Sequence, residues 1–205
     1  MTSVPQPGAP DILRRVRTVQ GMTVAWMSAE AAVSLFTAWQ ARSAALLAFG
    51  GDSAIEFASA VVVLWRFRAD TASEEIERRA AQIAGVLLFA LAVSVFATSV
   101  VTIIGYSEPK PTFLGIAILM LAAVVMPLLA REKRRLSALT GSAALRADAA
   151  ESALCGYFSL IALLGLLVNA IWHASWADPA VAILIVPLIL REGVEALRGK
   201  SCDCM

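Results

Sequence analysis

The chain has 205 residues, 59% of them hydrophobic and 16% charged, with a mean hydropathy of +0.75. That composition does not make the surface of a water-soluble domain, which excludes a soluble enzyme. Basic and acidic residues nearly cancel, 17 against 16, so no basic excess points to nucleic acid. What information charge carries lies in its pattern along the chain.

Apolar runs of about twenty residues, the length needed to cross the hydrocarbon of a bilayer, recur six times. They cover 19–39, 43–65, 81–105, 112–130, 142–170 and 178–190, the last extending to about 197. Spanning segments must satisfy their backbone hydrogen bonds internally, and none of these runs alternates as a barrel strand does, so all six are expected to be helices. The expected division is a 1–18 cytoplasmic segment, a 19–198 transmembrane domain and a 199–205 tail. Arg14, Arg15 and Arg17 precede the first run, but that run is long, contains Glu30 and lacks a small-residue cleavage site, so it reads as an uncleaved helix.

Fourteen of the 17 basic residues fall at the two ends of the chain and in the 66–80 and 131–141 connections; only Arg42 and Lys110 lie on the opposite side, and Arg146 lies inside the fifth run. The positive-inside rule therefore places both termini in the cytoplasm. No connection exceeds about fifteen residues, which leaves no room for a soluble catalytic domain or a phosphate-binding loop. Trp39, Trp65, Tyr106, Trp172 and Trp176 stand near run ends, where amphipathic rings anchor to the membrane interface.

Residues 43–56, SAALLAFGGDSAIE, align with 142–155, SAALRADAAESALC, at an offset of 99 with seven identities. The offset lays the second run on the fifth. In a six-span chain these run in opposite directions, so runs one to three and four to six form a 3+3 inverted-topology repeat, an architecture in which transporters bind substrate near the midplane. Asp52 and Glu151 each fall about ten residues into their runs. A charge at that depth costs at least about 2.5 to 3.5 kcal/mol on insertion scales, so such carboxylates face a bundle interior or cavity. The bland reading is that they only bond to neighbouring helices.

Residues four apart share one helix face, so Asp52 converges with Glu56, and Glu151 with Cys155. Two pairs on two helices match the arithmetic of a tetrahedral metal site, and the carboxylate and thiolate donors suit zinc, or softer ions such as cadmium. Asp148, one turn before Glu151, is a fifth candidate. So dense a cluster cannot persist dry and fully ionised, and the empty site is expected to hold protons that metal displaces. Glu30 is read as a proton carrier or supporting partner, with a helix-bonding carboxylic acid as the alternative. Cys202 and Cys204 form a Cys-x-Cys pair in the tail, suited to metal capture, or to nothing if the tail is dispensable. His173, beside Asp178, is read as a solvated loop residue.

Two stretches, GGDSAIEFASAVVVLWRF at 50–67 and LRADAAESALCGY at 145–157, followed by ADPAVAILI at 177–185, resemble the transmembrane domain of the cation diffusion facilitator family. The resemblance implies a six-helix bundle, proton-coupled export of zinc or related divalent cations, membrane lipid as surroundings and a homodimeric assembly. Asp52 and Glu56 occupy the positions of the family's paired acids on the second helix. On the fifth helix the family carries histidine and aspartate four apart; Glu151 and Cys155 stand there instead, so the resemblance does not carry the family's metal preference over. Only about fifteen residues follow the sixth run, as in the short members without a cytoplasmic domain.

The expected protein is thus a multi-pass transporter of a bacterial-type plasma membrane, using no cofactor beyond the metal and protons it moves. Its alternative is a non-transporting membrane protein that buffers or senses metal. An organic-cation transporter is disfavoured by the 7% aromatic content, concentrated at run ends.

Overall fold

The computed structural model describes the backbone of residues 9–68, 74–105, 108–110, 112–141 and 143–198. Six helices account for nearly all of it: α1 (Ala9–Ala41), α2 (Ala44–Arg68), α3 (Glu74–Ile103), α4 (Phe113–Thr140), α5 (Ala143–Trp172) and α6 (Ala177–Leu197). No strand occurs among the described residues. Three helices carry segments long and apolar enough to cross a membrane on composition alone: Gln82–Ile103, Phe113–Thr140 and Asp148–Trp172. The other three carry Glu30, Asp52 and Glu56, and Asp178 and Glu192. Their acids are sheltered by packing among the apolar helices.

The helices pack most extensively in three pairs, α1 with α2, α4 with α5, and α3 with α6. Further contacts join α2 to α3, α5 to α6, α1 to α4, α2 to α5 and α2 to α6. Exchanging helices one to three with four to six leaves every pairing but α2 with α6 in place, so the packing is close to two-fold. The turns obey the same offset. Arg42 (φ 52°) links α1 to α2 and Gly141 (φ 65°) links α4 to α5, both left-handed and 99 positions apart. Glycine reaches that conformation without strain, whereas an L side chain loses about 1 to 2 kcal/mol there.

Close helix approach depends on missing side chains. A Cβ on Gly50 would lie 2.8 Å from the Ser34 Cβ and 2.9 Å from the Leu35 amide nitrogen, so α1 and α2 touch nearly backbone to backbone. A Cβ on Gly85 would lie 2.9 Å from the Gly193 carbonyl, which fixes the crossing of α3 and α6 in the same way. At the start of α2 the Ser43 hydroxyl accepts from the Leu46 N–H at 3.1 Å, an ordinary N-cap. Asp178 of α6 completes this cap across the bundle: its carboxylate accepts from the Ser43 hydroxyl and from the Ala44 N–H at 2.8 Å. The sequence reading treated Asp178 only as a neighbour of His173. In the structure it is buried and bound to α2, while His173 is exposed.

Two boundaries differ from expectation in a way that matters for the site. α1 begins at Ala9, so residues 9–18 are not a separate segment; Val16 and Val19 pack against Leu136 and Leu145, and Arg15 pairs with Glu132 at 2.7 Å. α4 runs to Thr140, so 131–141 is not a loop but mostly helix, with Lys133, Leu136 and Ser137 buried. The hydropathy of a span ends at the edge of the hydrocarbon, but the helix continues wherever its inward stripe still finds apolar partners.

Because the two turns are conformationally equivalent but differ in residue, substitutions there should have opposite signs. Gly141→Ala is expected to lower stability by about 1 kcal/mol. Arg42→Gly is expected to raise it by roughly 0.5 to 1 kcal/mol, relief of strain outweighing the greater freedom of glycine in the unfolded chain. Thermal unfolding in detergent micelles checks both.

Candidate metal centre

α2 enters the bundle under its Asp178 cap, passes the Gly50 contact with α1, and one turn later presents Asp52 and Glu56 inward on a single face. α5 approaches from the opposite end and presents Cys155. Donor atoms of Asp52, Glu56 and Cys155 all lie within 4.8 Å of one another, and all three residues are buried. In a tetrahedral site with metal–ligand distances near 2.0 to 2.3 Å, neighbouring donors stand about 3.5 Å apart, so a small inward rotation of the side chains closes this set on an ion.

Hydrogen bonding around the cluster is conspicuously incomplete. Both oxygens of Asp52, Oε2 of Glu56 and Oε2 of Glu30 are buried without a partner. Buried carboxylate oxygens normally accept hydrogen bonds, and leaving one unsatisfied costs on the order of 1 to 3 kcal/mol. Here at least three point into one region of the bundle. Asp52 is 1% exposed, while Glu56 is 9% exposed and Glu151 more so, so accessibility increases toward the end where α5 begins.

Glu30 supports the cluster from α1. Its Oε1 accepts from the Ser53 hydroxyl at 2.7 Å and from the Cys155 thiol at 3.4 Å. The Ser53 oxygen also lies 3.9 Å from the Cys155 sulfur. Glu30 therefore holds the thiol in place through direct contact and stands outside the group of three.

Glu151, expected as a fourth ligand, is not in that group either, although its charge acts on both Asp52 and Glu56. Asp148 is engaged elsewhere: its Oδ2 accepts from the Lys133 ammonium at 2.9 Å and from the Gln20 amide at 2.7 Å. Cys202 and Cys204 lie outside the described residues.

Three participants escaped the sequence reading. The Glu192 carboxyl of α6 lies near enough to Asp52 for the two charges to act on each other. Its signal was present: Ala182, Ile185 and Ile189 mark the buried stripe of α6, and Glu192 continues it at helical spacing. Lys133 likewise continues the α4 stripe of Ala122, Met126 and Ala130. Gln20 lies nearly three turns before Glu30, the midpoint acid of α1, and is fully buried.

A six-helix membrane bundle with internal two-fold symmetry and an acid–thiol cluster at its centre is the architecture of a cation carrier. Residues 23–200 match the family model described as the cation efflux transmembrane domain, and the chain belongs to that family. No curated protein matches the chain closely enough to transfer more.

The cluster carries its own test. Asp52→Asn removes a buried charge whose oxygens have no donors, so the metal-free protein is expected to gain about 1 to 2 kcal/mol in stability. The same variant is expected to lose metal-induced stabilisation, which for the wild type grows as metal rises above its dissociation constant. Thermal unfolding with and without zinc checks both.

Proposed function

We propose that this protein exports divalent transition-metal ions, zinc or cadmium in particular, from the cytoplasm in exchange for protons. The observation that carries the reading is the convergence of Asp52, Glu56 and Cys155 within 4.8 Å, with both Asp52 oxygens buried and unpartnered. Three oxygen and sulfur donors with an open side fit a partly dehydrated divalent ion, and Glu151 or Glu192 swings in as the fourth ligand. The thiolate favours the softer metals. Asp148 lies on the access side and acts through its neighbours.

Direction follows from two supports. The accessible side of the cluster is the end at which α1 begins, and the basic residues concentrated there argue for the cytoplasm. At the other end the Asp178 cap seals α2 against α6. An ion therefore loads from inside, and release to the outside requires that seal to part.

Proton exchange follows from the chemistry of the ligands. A coordinating thiol must lose its proton, and carboxyls crowded together without cations share protons until the metal arrives. Each metal ion bound is thus expected to release protons, measurable as acidification of a weakly buffered solution between about pH 6 and 8. Binding without proton release would contradict the exchange.

Proteoliposomes containing only this protein test the whole reading. With an imposed pH gradient, the wild type is expected to accumulate zinc and cadmium, and Asp52→Asn to carry neither. Cys155→Ser is expected to lose cadmium flux at least tenfold while zinc falls less, because a hydroxyl replaces the soft donor. A folded protein that binds metal but moves none would instead be a buffer or sensor.

A further inference from the structure

Among the described residues Lys133 is the one buried cation, and it is completely buried. Its stem packs inside the α4 stripe, and its ammonium lies where α1, α4 and α5 meet. Nζ stands 2.9 Å from Asp148 Oδ2 and donates to Ser152 Oγ at 2.8 Å. The Ser152 hydroxyl turns its own proton to the Asp148 carbonyl at 3.0 Å, which leaves its lone pairs facing Lys133. Gln20 donates to the same carboxylate oxygen at 2.7 Å, while its Oε1 is buried with no partner.

These groups form a cation site in their own right. A carboxylate and a hydroxyl oxygen, both from α5, face the ammonium and are donors that hard cations select, while Gln20 of α1 braces the carboxylate through its NH2. Asp148 precedes Cys155 by seven residues, so this position lies about 10 Å along α5 from the acid–thiol cluster, on its inner side. A free ion there would lie close to the cluster's own ion and in its repulsive field.

We propose that Lys133 is a tethered cation filling this second position, built by Asp148 and Ser152 and braced by Gln20, so that the bundle admits a single mobile ion. The ion pair takes Asp148 out of the set of available ligands and satisfies a carboxylate that would otherwise be buried and bare. It also binds α1 to α4 and α5 independently of the metal load. The proposal goes beyond the transport reading and stands on a different set of residues.

Manganese(II) is the probe, since it favours all-oxygen sites. The purified full chain is dialysed to equilibrium against manganese chloride, and bound metal per chain is counted by mass spectrometry. Lys133→Met keeps the apolar stem and removes the charge; it is expected to bind one ion more than the wild type. That gain should vanish in Lys133→Met/Asp148→Asn and persist in Lys133→Met/Asp52→Asn. No gain in Lys133→Met, or a gain that survives Asp148→Asn, overturns the proposal. If the wild type binds no metal at any concentration, the transport reading fails, while the difference between variants still decides this one. Should Lys133→Met not fold, ethylammonium or manganese supplied during purification is expected to recover it by filling the vacated position. Failure of both to do so overturns the proposal as well.

Discussion

Unbalanced negative charge inside a nonpolar bundle is the constraint on which the rest of this structure depends. Glu30, Asp52, Glu56 and Asp148 are buried, Glu151 and Glu192 border them, and the described interior holds only one fixed cation. Each ionised carboxylate in such a place carries a desolvation cost of several kcal/mol that only a partner can offset. The protein settles these carboxylates differently by position. Asp148 receives lysine and glutamine, Asp178 the start of a helix, and Glu30 a serine and a thiol. Asp52 receives no donor. The unsatisfied group is the one at the centre, where a mobile ion has somewhere to go.

Helix geometry makes that arrangement possible. Gly50 brings α1 against α2, so Glu30 reaches Ser53 and Cys155, and Gly85 with Gly193 lets α6 lie close along α3. Asp178 and Glu192 are both carried by α6, fourteen residues apart. The helix that caps the start of α2 thus also carries a carboxyl whose charge acts on Asp52. On the proposed function, an ion drawing Glu192 toward Asp52 would act on the same helix that holds the cap, a physical route from loading to closure.

Much of this was legible in the sequence. Six helices, their order and the 99-residue offset follow from hydropathy and repeated residues, because lipid leaves the backbone few choices. Asp52 and Glu56 were legible because i and i+4 positions must share a face, and Cys155 because the repeat lays it on Glu56. The sequence could not say that Glu151, in register with the others, turns partly outward, since a rotation of a few tens of degrees about a helix axis leaves no mark in composition. Nor did it separate Lys133 from its neighbours Arg131, Arg134 and Arg135, which are exposed. Within a basic run only the phase of the helix distinguishes an inward cation from three solvated ones, and that phase is set by packing.

The paired turns at Arg42 and Gly141 allow the two copies of the repeat to be compared position by position. Arg131, Lys133, Arg134 and Arg135 of the second copy correspond at the 99-residue offset to Ala32, Ser34, Leu35 and Phe36 of the first. Turn conformation and the Asp52–Glu151 acid position were retained, and the charge before the turn was not. Two identical hairpins would each favour the same orientation, since basic flanks resist translocation. Opposite insertion of one hairpin shape therefore demands that its copies diverge in cationic flank before anything else. By the positive-inside rule those four replaced side chains, with the basic residues at the chain's ends and in the 66–80 connection, are what would set apart the orientation of two copies that share a shape.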